Sequence, residues 1–218
     1  MHITHHIINK NTFLLSVQRC LFWEEEKTLI VSDLHFGKTG HFRKNGIAVP
    51  QFIYKEDLQR LVTLITFYKT QRIIVVGDMF HSHENKELEL FVKWRKDLNH
   101  VHIHLVKGNH DIIETGWYKK AGIELSDELE VNGFRFIHDI NTASSIDQNN
   151  YYFSGHFHPS VILKGTGKQS LRFHCFYFGK DYAVLPAFSK FSGVTLIEPK
   201  KNDHVYAIVE SSNICVKV

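Results

Sequence analysis

Leu29-Ile30-Val31-Ser32-Asp33-Leu34-His35-Phe36-Gly37-Lys38 decides the reading of this chain. An apolar run stops at an Asp and a His two residues apart, and a Gly follows. Apolar β-formers that end this way predict a buried strand delivering polar side chains to the loop at its end. The pattern recurs. Ile73-Ile74-Val75-Val76 ends in Gly77-Asp78, and Val101-His102-Ile103-His104-Leu105-Val106 ends in Gly108-Asn109-His110-Asp111. Phe134-Arg135-Phe136-Ile137 ends in His138, and Tyr151-Tyr152-Phe153-Ser154 ends in Gly155-His156-Phe157-His158. Strand-like runs that each end in Asp, Asn or His predict one site assembled at the rim of a sheet.

Composition bounds the classes this chain can join. Its 218 residues are 43% hydrophobic, enough to build a sizeable core in a single domain spanning 1–218. A net charge of +3 and a pI of about 8.6 permit a polyanionic partner but fall short of a strong nucleic-acid footprint. Cys20, Cys175 and Cys215 form no CxxC pair, which favours a reducing, cytoplasmic compartment over a disulfide framework. No apolar run approaches the roughly 20 residues of a membrane span, and the N-terminus lacks the pattern of a signal peptide. Of the sixteen histidines, His5, His6, His100, His102, His104 and His174 read as surface or satisfied core residues.

In chain order, residues 1–23 read as a strand or hairpin beside the main sheet. The segment 37–50 holds three glycines and a terminal proline, which predicts a loop. Its Lys38, Arg43 and Lys44 are candidates for gripping a phosphate, with Arg the better bidentate clamp. Ile53, Leu58, Leu61, Val62, Leu64, Ile65 and Tyr68 predict an amphipathic helix over 52–69. A second helix is predicted over 85–98. With strands at 28–32, 72–77 and 101–106 these make a right-handed parallel βαβαβ unit. Strands at 134–138, 150–154, 171–178, 182–185, 193–197 and 204–209, joined by short turns, predict an antiparallel or mixed second sheet. That sheet packs against the first, with helices outside. The class is α/β.

Asp33, His35, Asp78, Asn109, His138, His156 and His158 together suit a pair of divalent cations about 3.5–4 Å apart, which clamp the attacking and leaving oxygens of a phosphoryl transfer. Asp78, the middle acid, is the candidate bridge. One cation takes Asp33, His35 and one terminal histidine; the other takes Asn109, His138 and the remaining one. Imidazole and oxygen ligands suit Mn, Fe, Zn or Ni better than Ca. A hydroxide bridging the cations is the expected nucleophile. His110 directly follows a ligand, so its ring is expected to face the substrate, stabilising phosphate or protonating the leaving oxygen. Asp111 is expected to orient it. The competing structures are a buried polar network or a closed zinc site. A closed site takes four ligands, usually with Cys, whereas this set has seven and no Cys.

These blocks resemble the calcineurin-like metallophosphoesterases, whose ordered motifs are Asp-x-His, Gly-Asp, Gly-Asn-His-Asp/Glu, a lone His and Gly-His-x-His. The resemblance implies a four-layer αββα sandwich of two mixed β-sheets flanked by helices. It places His158 with Asp33 and His35 on the first metal, and His156 with Asn109 and His138 on the second. One block departs: the fourth is usually Gly-His, and here it is Ile137-His138. Members with a ferric purple site carry Tyr three residues after the bridging Asp; His81 stands there, which implies no tyrosinate–iron colour.

Gly37-Lys38, Phe42-Arg43, Gly46-Ile47-Ala48-Val49-Pro50, Ser154 to Pro159, and Leu185-Pro186-Ala187-Phe188 with Phe191 and Gly193 resemble one branch, the bacterial ligase-associated DNA-damage-response endonucleases. That resemblance implies an Mn-dependent phosphodiesterase or endonuclease acting on DNA in repair, with DNA ligase, helicase or exonuclease partners and no membrane. Lys164, Lys168 and Arg172 are further candidates to track a nucleic-acid backbone. Two alternatives are a phosphoesterase for small nucleotides or lipid-linked diphosphates, and a non-catalytic interaction module on the same fold.

Overall fold

The structure is a computed structural model that describes residues 3–37, 52–81, 86–143, 146–165, 167 and 169–218. The first sheet runs β1 (Thr4–Ile8), β2 (Asn11–Ser16), β3 (Cys20–Trp23), β4 (Thr28–Ser32), β5 (Arg72–Val76), β6 (His102–Val106) and β7 (Ile123–Ser126), in that spatial order. Strands β1 to β4 pair antiparallel and β4 to β7 pair parallel. The predicted hairpin is therefore part of the main sheet. The parallel crossovers carry α1 (Phe52–Tyr68), α2 (Lys86–Asp97) and α3 (Thr115–Lys120).

The second sheet contains β8 (Glu128–Val131), β9 (Phe134–Ile137), β10 (Tyr151–Ser154), β11 (Pro159–Lys164), β12 (Ser170–Phe178), β13 (Tyr182–Val184), β14 (Thr195–Leu196), β15 (His204–Val209) and β16 (Ile214–Lys217). It is mixed: β9–β10, β10–β13 and β11–β14 are parallel, and the other pairs are antiparallel. The sandwich of two mixed sheets expected from the sequence is present. All the described α-helices lie between β4 and β7.

Side-chain alternation assigns the layers. Leu29 and Val31 of β4, Ile73 and Val75 of β5, and Ile103 and Leu105 of β6 face the helices, where Leu61, Leu64, Ile65, Leu88 and Phe91 meet them. Ile30, Ile74, Val76 and Val106 face the other way, onto Phe134, Phe136, Phe153, Phe176 and Phe178 of the second sheet. Because the parallel strands are covered on both faces, they read as continuous apolar runs. Val161, Cys175, Tyr177, Val205 and Ala207 form a smaller cluster on the outer face of the second sheet. The carboxyl ends of β4, β5, β6, β9 and β10 converge at one rim, where the polar strand ends of the sequence lie.

Candidate metal centre

Pairing between β4 and β5 continues past the strands. The amides of Asp33, His35 and Phe36 donate to the carbonyls of Gly77, Asp78 and Met79, and the His81 amide donates back to Phe36. This lacing turns the chain through left-handed conformations at Asp33 (φ 52°), His35 (φ 48°) and Asp78 (φ 50°). His156 (φ 67°) and His158 (φ 46°) share that conformation at the end of β10. Each such non-glycine residue costs about 1–2 kcal/mol. Backbone strain gathered on five of the seven candidate ligands marks a functional rim.

Two groups of ligand atoms result. In the first, atoms of Asp33, His35 and His158 all lie within 4.8 Å of one another. His158 Nδ1 sits 3.0 Å from the Gly193 carbonyl, which only accepts, so Nδ1 carries the proton. The Nε2 lone pair then faces Asp33 Oδ1 at 3.3 Å. Asp33 is fully buried, and among the described residues no hydrogen bond reaches Oδ1. Its other oxygen is held by the Ser32 hydroxyl and by the His156 amide at 3.1 Å. Two acceptors at that distance fit a cation between them.

The second group contains Asp33, Asp78 and His138 within the same span. His138 Nδ1 lies 3.3 Å from the Val76 carbonyl, which turns Nε2 toward the other acceptors. Nε2 is 3.1 Å from Asn109 Oδ1, 3.2 Å from His156 Nδ1 and 3.4 Å from Asp78 Oδ2. Burial works against the charge of His138, but the adjacent Asp78 carboxylate pushes its pKa up to about 9. Burial likewise opposes charge on Asp78, yet His138 and the His110 amide hold its carboxyl down to about 2. The donor set of imidazole, carboxylate and amide oxygen fits a divalent cation.

The structure thus brings Asp33, His35 and His158 together, and Asp78, Asn109, His138 and His156 together. Ile137 is ordinary strand in β9. The freedom that a glycine before His138 was expected to give lies elsewhere, at Gly77 (φ 79°), where a Cβ would come within 1.8 Å of His138 Nδ1. Gly155 similarly leaves space for Ser32 Oγ and Asp33 Oδ2, at 2.0 and 2.6 Å from its absent Cβ. These glycines are visible in the sequence, but their partners are not.

His110 is half-buried; its amide donates to Asp78 Oδ1 at 2.9 Å. Its ring lies 4.4 Å from that of His81 and 5.6 Å from that of His35. Asp111 was expected to orient His110. Its carboxylate is fully buried and accepts from the amides of Met79 (2.9 Å), Phe80 (3.1 Å) and Gly108 (2.9 Å). It braces two loops, and among the described residues no hydrogen bond joins it to the His110 ring. Burial pushes its pKa up to about 6 against those amides.

Lys38, Arg43, Lys44 and Lys168 lie outside the described residues. Lys164 and Arg172 are exposed on β11 and β12. Sequence reasoning missed Asp139, whose Oδ2 is 3.9 Å from His156 Nε2, and the groove beside it. That groove, about 510 Å³, opens next to Asn109, His138 and His156 and is walled by Lys107, Glu128 and Arg135.

A two-sheet sandwich with paired Asp/His groups at the strand ends defines a metal-dependent phosphoesterase. The family model for calcineurin-like phosphoesterases matches residues 26–204, and the chain belongs to that family. Among solved structures it is similar to the nuclease MPE of Pseudomonas putida, at 23% identity, a TM-score of 0.83 and 100% coverage of both chains. It is also similar to Yfce, a phosphoesterase from E. coli, at 15% identity and a TM-score of 0.48, over 88% of this chain and 97% of that one. No curated protein matches significantly by sequence. Among the described residues, no helix is long and apolar enough to cross a membrane.

Proposed function

We propose that this chain is a dinuclear phosphodiesterase that cuts DNA as an endonuclease, with Mn as its cation and a role in cytoplasmic DNA repair. The observation that carries the reading is the convergence of acceptor atoms into two groups that share Asp33. Asp33, His35 and His158 hold one cation; Asn109, His138 and His156 hold the other. Asp78 lies between them: it pairs with His138 and feels the charge of His35. When bound, such cations supply charge stabilisation to phosphoryl oxygens and lower the pKa of a water.

The chain's own residues then bind and orient the ester. His110 faces the substrate, where it steadies a phosphate oxygen or gives a proton to the leaving oxygen. Lys38 and Arg43 follow the Asp33 motif in sequence and supply cationic contacts to phosphate. The likeness in fold to a protein named a nuclease supports a nucleic-acid substrate.

A specific observation favours a second reading, hydrolysis of a small nucleotide. The groove beside His138 sets Asp127, Glu128 and Asp139 against Lys107 and Arg135. Arg135 is itself engaged by Glu130 at 3.2 Å. That is a poor track for a polyanion.

The test is Mn-dependent hydrolysis of bis(p-nitrophenyl) phosphate. Asp78→Asn and Asn109→Ala are each expected to abolish it, and activity that survives both removes the dinuclear reading. Single-stranded DNA, duplex DNA and cyclic dinucleotides, compared as substrates, separate the two readings.

A further inference from the structure

The segment 185–195 laces together strand ends of both sheets. The Leu185 amide donates to Ser154 at 2.8 Å, Phe188 to Ser32 at 2.7 Å and Ser189 to Asp33 at 3.2 Å. Further on, the Gly193 carbonyl accepts from His158 Nδ1 at 3.0 Å, and the Thr195 amide donates to the His158 carbonyl at 3.0 Å. One strap therefore touches the backbone of Asp33 and fixes the tautomer of His158.

Two arginines hold the strap from behind. Arg60, from α1, donates to the Phe188 carbonyl, and its guanidinium lies 4.0 Å over the Phe188 ring. Arg19, after β2, donates to the Ser189 carbonyl at 3.1 Å. Asp57 balances Arg60 at 3.2 Å, and Glu210 balances Arg19 at 2.8 Å. Asp57 also accepts the Lys190 amide. Arg19, Asp57, Phe188 and Ser189 are all buried. Each of two successive residues, Phe188 and Ser189, thus binds a site strand through its amide and a guanidinium through its carbonyl.

A loop needs no such device merely to pack. Removing a guanidinium from water is costly, and a buried ion pair adds little net stability. The cost is explained if the position of the strap matters to the strand ends it touches.

We propose that Arg19 and Arg60 are positioning residues for the Asp33–His35–His158 group. Through Phe188–Ser189 they keep Asp33 in its left-handed conformation and keep Gly193 under His158, so that His158 Nε2 and Asp33 Oδ1 point at the same cation. This rests on the reading of that group as a metal site. It gives Leu185, Phe188 and Gly193 of that sequence pattern a place beside the site.

Mn binding to the full chain, by equilibrium dialysis and electron paramagnetic resonance, tests it. Wild type is expected to bind two Mn. Arg60→Met and Arg19→Met are each expected to weaken one of the two by about 10–100-fold and to remove the spin-coupled signal. In an Asn109→Ala background, Arg60→Met should remove the remaining Mn. Arg95→Met is the control, because Arg95 also binds backbone carbonyls, those of Leu98, Val101 and Gly122, away from the site. It should lower the melting temperature and leave both Mn in place.

The proposal is overturned if the Arg60 and Arg19 variants melt early yet bind both Mn with wild-type affinity. If the Met variants fail to fold, Arg60→Lys and Arg19→Lys keep the charge and one donor. They should show an intermediate loss at the same site, and wild-type affinity in them overturns the proposal equally. A wild-type chain that binds no Mn overturns the metal reading itself.

Discussion

His138 shows how a single residue is placed by a partner far away in sequence. The family-like glycine before it is replaced by Ile137, so local sequence offers no room for a special backbone. Gly77, at the end of β5, supplies the room instead, because its missing side chain is where the imidazole sits. Gly77→Ala is expected to fail twice over: the Cβ meets Nδ1 at 1.8 Å, and φ of 79° disfavours any side chain. A loss of about 2–4 kcal/mol in urea denaturation is expected, together with weaker Mn binding. Wild-type Mn affinity in a folded Gly77→Ala chain would place the space for His138 elsewhere. The candidate ligands were legible in the sequence as polar strand ends, since Asp, Asn and His after apolar runs have few structural uses. The role of Asp111 was not, because its three amide partners come from two loops.

At the scale of elements, the loops after β5 and β6 are joined through Asp111, so its loss should loosen both. Asp111→Ala leaves three buried amides without an acceptor and is expected to cost about 3 kcal/mol or more. Asp111→Asn keeps an acceptor oxygen and should cost less. If Asp111 instead served His110, Asp111→Asn would shift the pH profile of hydrolysis at unchanged stability.

The edge strand β1 makes a second testable contact. His6 is buried, with Nδ1 3.0 Å from the Tyr206 hydroxyl of β15. Burial, followed by His204 and Lys217, lowers its pKa from 6.5 to about 4. Its folded pKa lies below the unfolded one, so protonation favours unfolding. The stability it contributes is present above pH 6.5 and is lost as pH falls toward 4. His6→Gln should flatten that acid limb in denaturation measured from pH 7 to 4; an unchanged limb would assign the loss to other groups. Strands β7, β8, β11 and β16 and helix α3 were not read from the sequence. They are short, and Glu128–Val131 alternates charge with apolar residues on a half-exposed edge, where pairing decides.

For the whole molecule, the candidate ligands divide between the sheets. Asp33, His35, Asp78 and Asn109 follow strands of the first, and His138, His156 and His158 follow strands of the second. Cations bound by both sets would tie the two sheets at the rim, beyond the apolar contact they share. Mn at about 100 times its Kd is therefore expected to add about 2.7 kcal/mol of stability, read as a rise in melting temperature that chelation reverses. A melting temperature indifferent to Mn and to chelator would remove the cross-sheet metal site.

The sequence by itself determined the parallel βαβαβ unit, six strands of the second sheet and the list of polar strand ends. Those depend on side-chain periodicity, which is local along the chain. The tertiary structure alone decided that Gly77 makes room for His138 and that Arg19 and Arg60 hold the strap under Asp33. Such contacts join residues up to 170 positions apart. They follow from how the sheets stack and the loops cross, which no short stretch of chain encodes.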